Sequence, residues 1–137
     1  MIQKLRCSVV ILNWNGEVML RRFLPLVLEH TQLPDVEIVV ADNGSTDDSL
    51  KYLREQPVRL ITLAENYGFA EGYNRAIEKV DAEYVVLLNS DVEVTPHWLG
   101  RMLEYVDAHS EVLAAQPKVL SWHSKQQFDQ GEVAAIC

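Results

Sequence analysis

Four predominantly apolar runs punctuate the chain, at residues 9–12, 38–41, 58–63 and 84–88. Between them apolar residues recur at three- and four-residue steps, the period of a helix with one buried face. Strands that are apolar throughout, rather than on alternate positions, belong to parallel sheets covered on both faces. The alternation therefore predicts a single α/β domain over residues 1–137, an open, mainly parallel, Rossmann-like sheet flanked by helices. The first helix is expected after Asn15-Gly16, with Leu20, Phe23, Leu24, Val27 and Leu28 on one face and Pro25 forcing a kink or a late start. Hydroxyls and acids at residues 43–48 announce a second helix that ends before Pro57. Phe69, Tyr73, Ala76, Ile77 and Val80 predict one buried stripe on a third helix, entered through Asn66 to Gly68, with Glu71, Arg75, Glu78 and Lys79 facing elsewhere. Thr95-Pro96 reads as a cap and first helical position before Leu99, Met102, Leu103 and Val106. Residues 112–115 and 118–120 predict a further strand, broken by Pro117 and so at an edge.

Composition narrows the function classes. With 48% hydrophobic and 23% charged residues, 137 residues suit one domain with a real core. A net charge of -8, with acids spread along the chain, would repel a nucleic-acid backbone, so no nucleic acid is expected as partner. The same excess disfavours a bare anionic nucleotide and calls for an intervening cation. Cys7 and Cys137 form neither a disulfide framework nor a metal spacing, which implies a reducing, cytoplasmic setting. The run at 9–12 after Lys4 and Arg6 is too short for a signal-peptide core or a membrane span. Residues 133–137 turn apolar and then stop, so the chain is expected to be part of a longer protein. Apolar surface left open by a missing half would favour a homo-oligomer.

The most informative chemistry follows the fourth run, where Tyr84-Val85-Val86-Leu87-Leu88 gives way to Asn89, Ser90, Asp91 and Glu93. In open parallel sheets, ligands sit at the carboxyl ends of the strands. Oxygen-only groups there suit magnesium or manganese, which bridge one or two carboxylates to substrate phosphates. Asn13 follows the first strand, Asp42 the second, and Asn89 with Asp91 the fourth, so polar groups converge on one edge. With neighbouring strands about 4.8 Å apart, a nucleoside diphosphate spans from Asp42 to a metal on Asp91. Plainer readings stand beside these. Residues 42–45 also make a good turn and cap, Asp91 and Glu93 also suit solvated acids ahead of a helix, and Asn66 also suits a helix cap. Trp14, Trp98 and Trp122 read as packing residues, Trp14 at the crevice edge serving equally as a stacking platform. His30, His97, His109 and His123 read as surface or capping residues.

Four segments in order carry a resemblance. Residues 8–15 (Ser-Val-Val-Ile-Leu-Asn-Trp-Asn), 39–47 (Val-Val-Ala-Asp-Asn-Gly-Ser-Thr-Asp), 66–74 (Asn-Tyr-Gly-Phe-Ala-Glu-Gly-Tyr-Asn) and Asn89-Ser90-Asp91 resemble the nucleotide-sugar-dependent glycosyltransferases of the GT-A fold, in particular the large inverting family 2. The resemblance runs from about Ser8 to about Leu120. It implies a nucleotide site built from Asn13, Trp14, Asp42, Asn66, Gly68 and Asn89, with Asp42 on the base and Asp91 on a magnesium or manganese ion. Asn89 stands where the family's metal motif has its first aspartate, a variant similar to that of deoxysugar transferases. The implied donor is a UDP- or dTDP-linked sugar and the acceptor a saccharide or a lipid-linked one. The implied reaction is metal-assisted and inverts the anomeric carbon, in polysaccharide biosynthesis at a cytoplasmic site, peripheral to the membrane in the full-length protein. Complete members continue into an acceptor-binding half that carries the general base, expected here beyond Cys137.

Other classes are weighed against this. A truncated or non-catalytic nucleotide-sugar-binding module fits the same residues. Residues 91–95 partly resemble the nucleophile motif of haloacid-dehalogenase-like phosphatases, but follow the fourth strand and carry Glu93 where that motif has aspartate. A dinucleotide-binding fold wants a glycine-rich turn where this chain has Asn13-Trp14-Asn15-Gly16. A receiver-type domain wants acids in place of Asn13.

Overall fold

The structure is a computed structural model that describes residues 4–121, 123 and 135–136. Strands β1 (Leu5–Asn13), β2 (Val36–Asp42), β3 (Arg59–Thr62) and β4 (Ala82–Leu88) are parallel, and β5 (Ala135–Ile136) runs antiparallel to β4. The order across the sheet is β3-β2-β1-β4-β5. Helices α1 (Glu17–His30), α2 (Ser49–Leu53), α3 (Phe69–Ile77) and α4 (Trp98–Ala108) connect them.

Successive strand residues point to opposite faces, and both faces here are covered, which is why the strand sequences are apolar without alternation. Val9, Ile11, Val40, Val86 and Leu88 meet Leu20, Leu24 and Val27 of α1, Leu53 of α2 and Leu99, Leu103 and Val106 of α4 in one core. Val10, Val39, Ala41 and Ile61 meet Tyr73 and Ala76 of α3 in the other. Fully burying each Val, Leu or Ile among them contributes about 1.5–3 kcal/mol. The two layers hold the strand ends in fixed register: Asn13 lies opposite Asp42, and Asp42 opposite Thr62.

Several expectations need correction. α1 starts at Glu17 and runs through Pro25, so there is no late start; Pro25 is exposed, and the donor it lacks leaves one carbonyl open on the solvent side. α2 does follow the 43–48 segment, at Ser49–Leu53 and before Pro57, but the hydroxyl of Ser45 bonds back to the β1 exit instead of capping the helix. Phe69 is 66% exposed and lies outside the buried stripe of α3, although its ring meets Tyr73 edge to face at 5.0 Å. Thr95-Pro96 is not the start of α4. The Trp98 amide donates to the Thr95 carbonyl, with Pro96 and then His97 (φ 64°) at the two central positions, so the segment is a turn that needs a left-handed third residue. Residues 112–120 form no strand; Ala115 and Leu120 have single bridge positions only, and the described fifth strand is Ala135–Ile136. Trp122 lies outside the described residues, whereas Trp98 is half-buried and its indole donates to the Thr31 hydroxyl at 3.0 Å.

Candidate functional site

The chain adds β2 and then β3 on one side of β1 and returns to place β4 on the other. The reversal falls between β1 and β4, and a doubly wound sheet opens its ligand crevice there, at the carboxyl ends. Asn13 ends β1 on one side of this point, and Asn89, Ser90 and Asp91 leave β4 on the other.

Asn13 is fully buried. Its amide nitrogen donates to Asp42 Oδ1 at 3.0 Å and to the Ser45 hydroxyl at 3.2 Å. Its Oδ1 is buried against Gly16 and has no hydrogen-bond partner among the described residues. Asp42 is 1% exposed and also accepts the Ser45 amide at 3.0 Å, so it ties the ends of β1 and β2 to the loop beyond. These bonds use two of its roughly four lone-pair directions.

Two asparagines outside the expected set organise the rim. Asn15, in the left-handed region at φ 49°, accepts the Thr46 and Asp47 amides on Oδ1 at 2.7 and 3.2 Å, while its own amide donates to the Ser45 hydroxyl at 2.9 Å. Asp47 accepts the Glu17 amide at 3.1 Å and the Ser49 amide at 3.0 Å, joining the starts of α1 and α2. Slight desolvation opposes ionisation of Asp47, but bonds from Ser49 and from the Glu17 amide outweigh it and hold the carboxyl below the usual carboxylate range. Asn43, 2% exposed, donates to Asn66 Oδ1 and to the Gly68 carbonyl, both at 3.1 Å, and accepts the Tyr67 amide at 3.0 Å. Asn66 is exposed and folds onto the Gly68 amide at 2.8 Å; it shapes this loop and does not cap α3, whose N-cap is Gly68. Arg75 lies 3.8 Å over the Tyr67 ring and pairs with Glu71 at 3.0 Å. Trp14, 55% exposed beside the crevice, is not a packing residue. His97 and His123 are exposed, and His30 and His109 half-buried.

On the β4 side, Asn89, Ser90 and Asp91 are half-buried. The Asp91 carboxylate makes no hydrogen bond or ion pair with another described residue. Behind it the Tyr73 hydroxyl donates to the Leu88 carbonyl at 2.9 Å. Burial pushes the Tyr73 phenol up to about 12, the backbone at Leu12 opposes this, and the nearby Asp91 charge adds to it. No group of three or more His, Cys, Asp and Glu gathers among the described residues. A protein-only metal cage is therefore not what this edge offers. One free carboxylate among oxygen donors instead fits an ion that keeps most of its waters and takes its other ligands from a phosphorylated substrate.

Residues 8–128 match the model of Glycosyl transferase family 2. The chain belongs to this family. Among its relatives, an uncharacterized glycosyltransferase of Nostoc sp. is 34% identical over 105 residues, covering 73% of this chain and 32% of that protein. The succinoglycan biosynthesis protein ExoO of Rhizobium meliloti is 32% identical, covering 74% and 31%. The chain spans between 14% and 41% of the curated relatives it matches. Two solved structures share the fold. The Pyrobaculum calidifontis mannosyltransferase PcManGT, in complex with GDP-Man and Mn2+, superposes with a TM-score of 0.79 at 22% identity, over 97% of this chain and 44% of that one. S. aureus TarS 1–349 with UDP-GlcNAc gives 0.69 at 22% identity, over 85% and 34%. The mainly parallel GT-A architecture expected from the family 2 resemblance is thus the fold observed. Family 2 membership also sets aside the phosphatase reading, as does the place of Asp91 after β4. Among the described residues no helix of this family 2 chain is long and apolar enough to cross a membrane.

Proposed function

We propose that this chain is the donor-binding portion of a glycosyltransferase that moves a sugar from a nucleoside diphosphate to an acceptor hydroxyl with inversion at the anomeric carbon. The observation that carries the reading is that Asn13 and Asp42 end neighbouring parallel strands while Asp91 leaves β4 on the other side of β1, all at the carboxyl edge of the sheet. Asp42 and Asn13 orient the nucleoside from the crevice floor, with Trp14 at its edge. The loop carrying Asn66 and Gly68, fixed by Asn43, flanks the nucleotide, and Asn89 lines the exit of β4. Asp91 would hold magnesium or manganese, which when bound offsets the charge that grows on the departing diphosphate. Holding donor and ion on strand ends fixed by two packed layers limits the loss of orientation that slows an unassisted reaction. The general base that takes the acceptor proton is expected beyond Cys137, in the part of the relatives that this chain does not span.

The donor classes to test are UDP-, dTDP- and GDP-linked sugars, since the two solved neighbours hold UDP-GlcNAc and GDP-Man. A role in cell-envelope polysaccharide assembly accords with relatives named for teichoic acid and succinoglycan synthesis; a saccharide or lipid-linked acceptor and a cytoplasmic site at the membrane periphery belong to the same reading. Calorimetric titration with UDP, dTDP and GDP, with and without manganese, tests the reading. One nucleotide that binds only with the metal supports it; absence of binding to all three under both conditions contradicts it.

A further inference from the structure

Tyr73 does something that its place in the apolar stripe of α3 does not require. The residue is 3% exposed, and its hydroxyl reaches across the sheet face to the carbonyl of Leu88, the last residue of β4. That carbonyl opens the peptide into Asn89-Ser90-Asp91. The register of β4 with β5 covers only Val86 and Leu87, and the pairing with β1 ends at Leu88 opposite Ile11. The strand therefore loses its ladder where the Asp91 turn begins, and the bond from Tyr73 fastens it there. A phenylalanine would fill the same apolar volume, so packing alone does not account for the hydroxyl. One turn before Tyr73, α3 is entered through its N-cap Gly68, whose carbonyl and neighbouring Asn66 are gripped by Asn43. One helix thus connects the loop beside the nucleotide with the turn that presents Asp91.

We propose that Tyr73 is a positioning residue: its hydroxyl fixes the Leu88 carbonyl, and through it the Asp91 turn, to the helix that carries the nucleotide-flanking loop. The proposal rests on the reading of Asp91 as the metal ligand. Partners that orient a ligand through another group typically contribute on the order of tenfold in metal affinity.

The test compares wild type with Tyr73→Phe, which keeps the ring. Three readouts are taken: urea stability, calorimetric affinity for nucleotide with and without manganese, and hydrogen exchange of the Asn89, Ser90 and Asp91 amides. The expected result is a folded variant whose manganese-dependent affinity falls roughly tenfold, whose metal-free affinity is unchanged, and whose three amides exchange faster. A variant that loses stability while affinity ratio and exchange stay as in wild type overturns the proposal and leaves Tyr73 a core residue. If wild type binds no metal–nucleotide, the functional reading fails and the exchange rates alone decide the positioning role: faster exchange supports it, unchanged exchange refutes it.

Discussion

Gly44→Ala probes how tightly the strand-end loops are interlocked. Gly44 has φ 75°, and a Cβ there would lie 2.7, 2.8 and 2.9 Å from backbone atoms of Glu65 and Asn66. The left-handed conformation costs a non-glycine residue roughly 1–2 kcal/mol. Relieving the overlap means moving the backbone of the 65–66 loop, an overpacking cost of about 1–3 kcal/mol. The sum, about 2–5 kcal/mol, is a large share of the roughly 5–15 kcal/mol that holds a domain folded. Gly68→Ala separates the two contributions: Gly68 has φ 80° and ψ -176° but open space around it, so only backbone strain of about 1–3 kcal/mol applies. Gly100→Ala, inside α4 with open space and no positive φ, is the control and is expected to stabilise by about 0.5–1 kcal/mol. Urea unfolding with a slope of about 2 kcal/mol/M turns the Gly44 change into a midpoint loss of about 1–2.5 M. A Gly44→Ala midpoint loss below about 0.5 M, that is below about 1 kcal/mol, would refute the interlocked loop.

Two further outcomes are expected. Burial pushes the Cys7 thiol from 9.0 up to about 12, the Arg6 charge opposing and Asp35 adding to this. The raised value in the folded state means that this contribution to stability is complete below pH 9 and fades as pH rises from there toward 12. In a Cys137→Ser background, Cys7 should resist a thiol reagent at neutral pH until urea unfolds the chain; rapid labelling of the folded protein would contradict its burial. The chain as it stands is also expected to bind donor nucleotide without transferring sugar, and transfer by the isolated chain, followed by product chromatography, would place the general base within these residues.

Much of the fold could be read from pattern because burial on both faces leaves a continuous apolar signature. All four parallel strands follow from it, and so do the faces of α1 and α4. What pattern misses is decided by contacts far apart in sequence. The hydroxyl of Ser45 looks like a helix cap, but Asn13 and Asn15, roughly thirty residues earlier, claim it. Residues 112–120 have strand-like composition, yet composition cannot say whether a sheet edge is free to accept them. Phe69 fits the helical period but, as the first residue of α3, is left exposed. The convergence of Asn13, Asp42 and Asp91 was legible because strand ends in a parallel sheet share an edge. Asn15, Asn43 and Tyr73 were not, since nothing local distinguishes an asparagine that clamps a loop, or a tyrosine that ties a strand end, from one that only packs. The one usable signal was at Asn15, an asparagine two residues past a strand end, where a left-handed residue is often needed.

The central claim is that Asp91 joins a divalent cation to a nucleoside diphosphate at the β1–β4 switch point. The most direct measurement is calorimetric titration of wild type and Asp91→Ala with the preferred nucleotide in the presence of manganese. The account predicts metal-dependent binding by wild type and its loss in Asp91→Ala, with urea stability unchanged. Equal manganese-dependent affinity in the two proteins would contradict it.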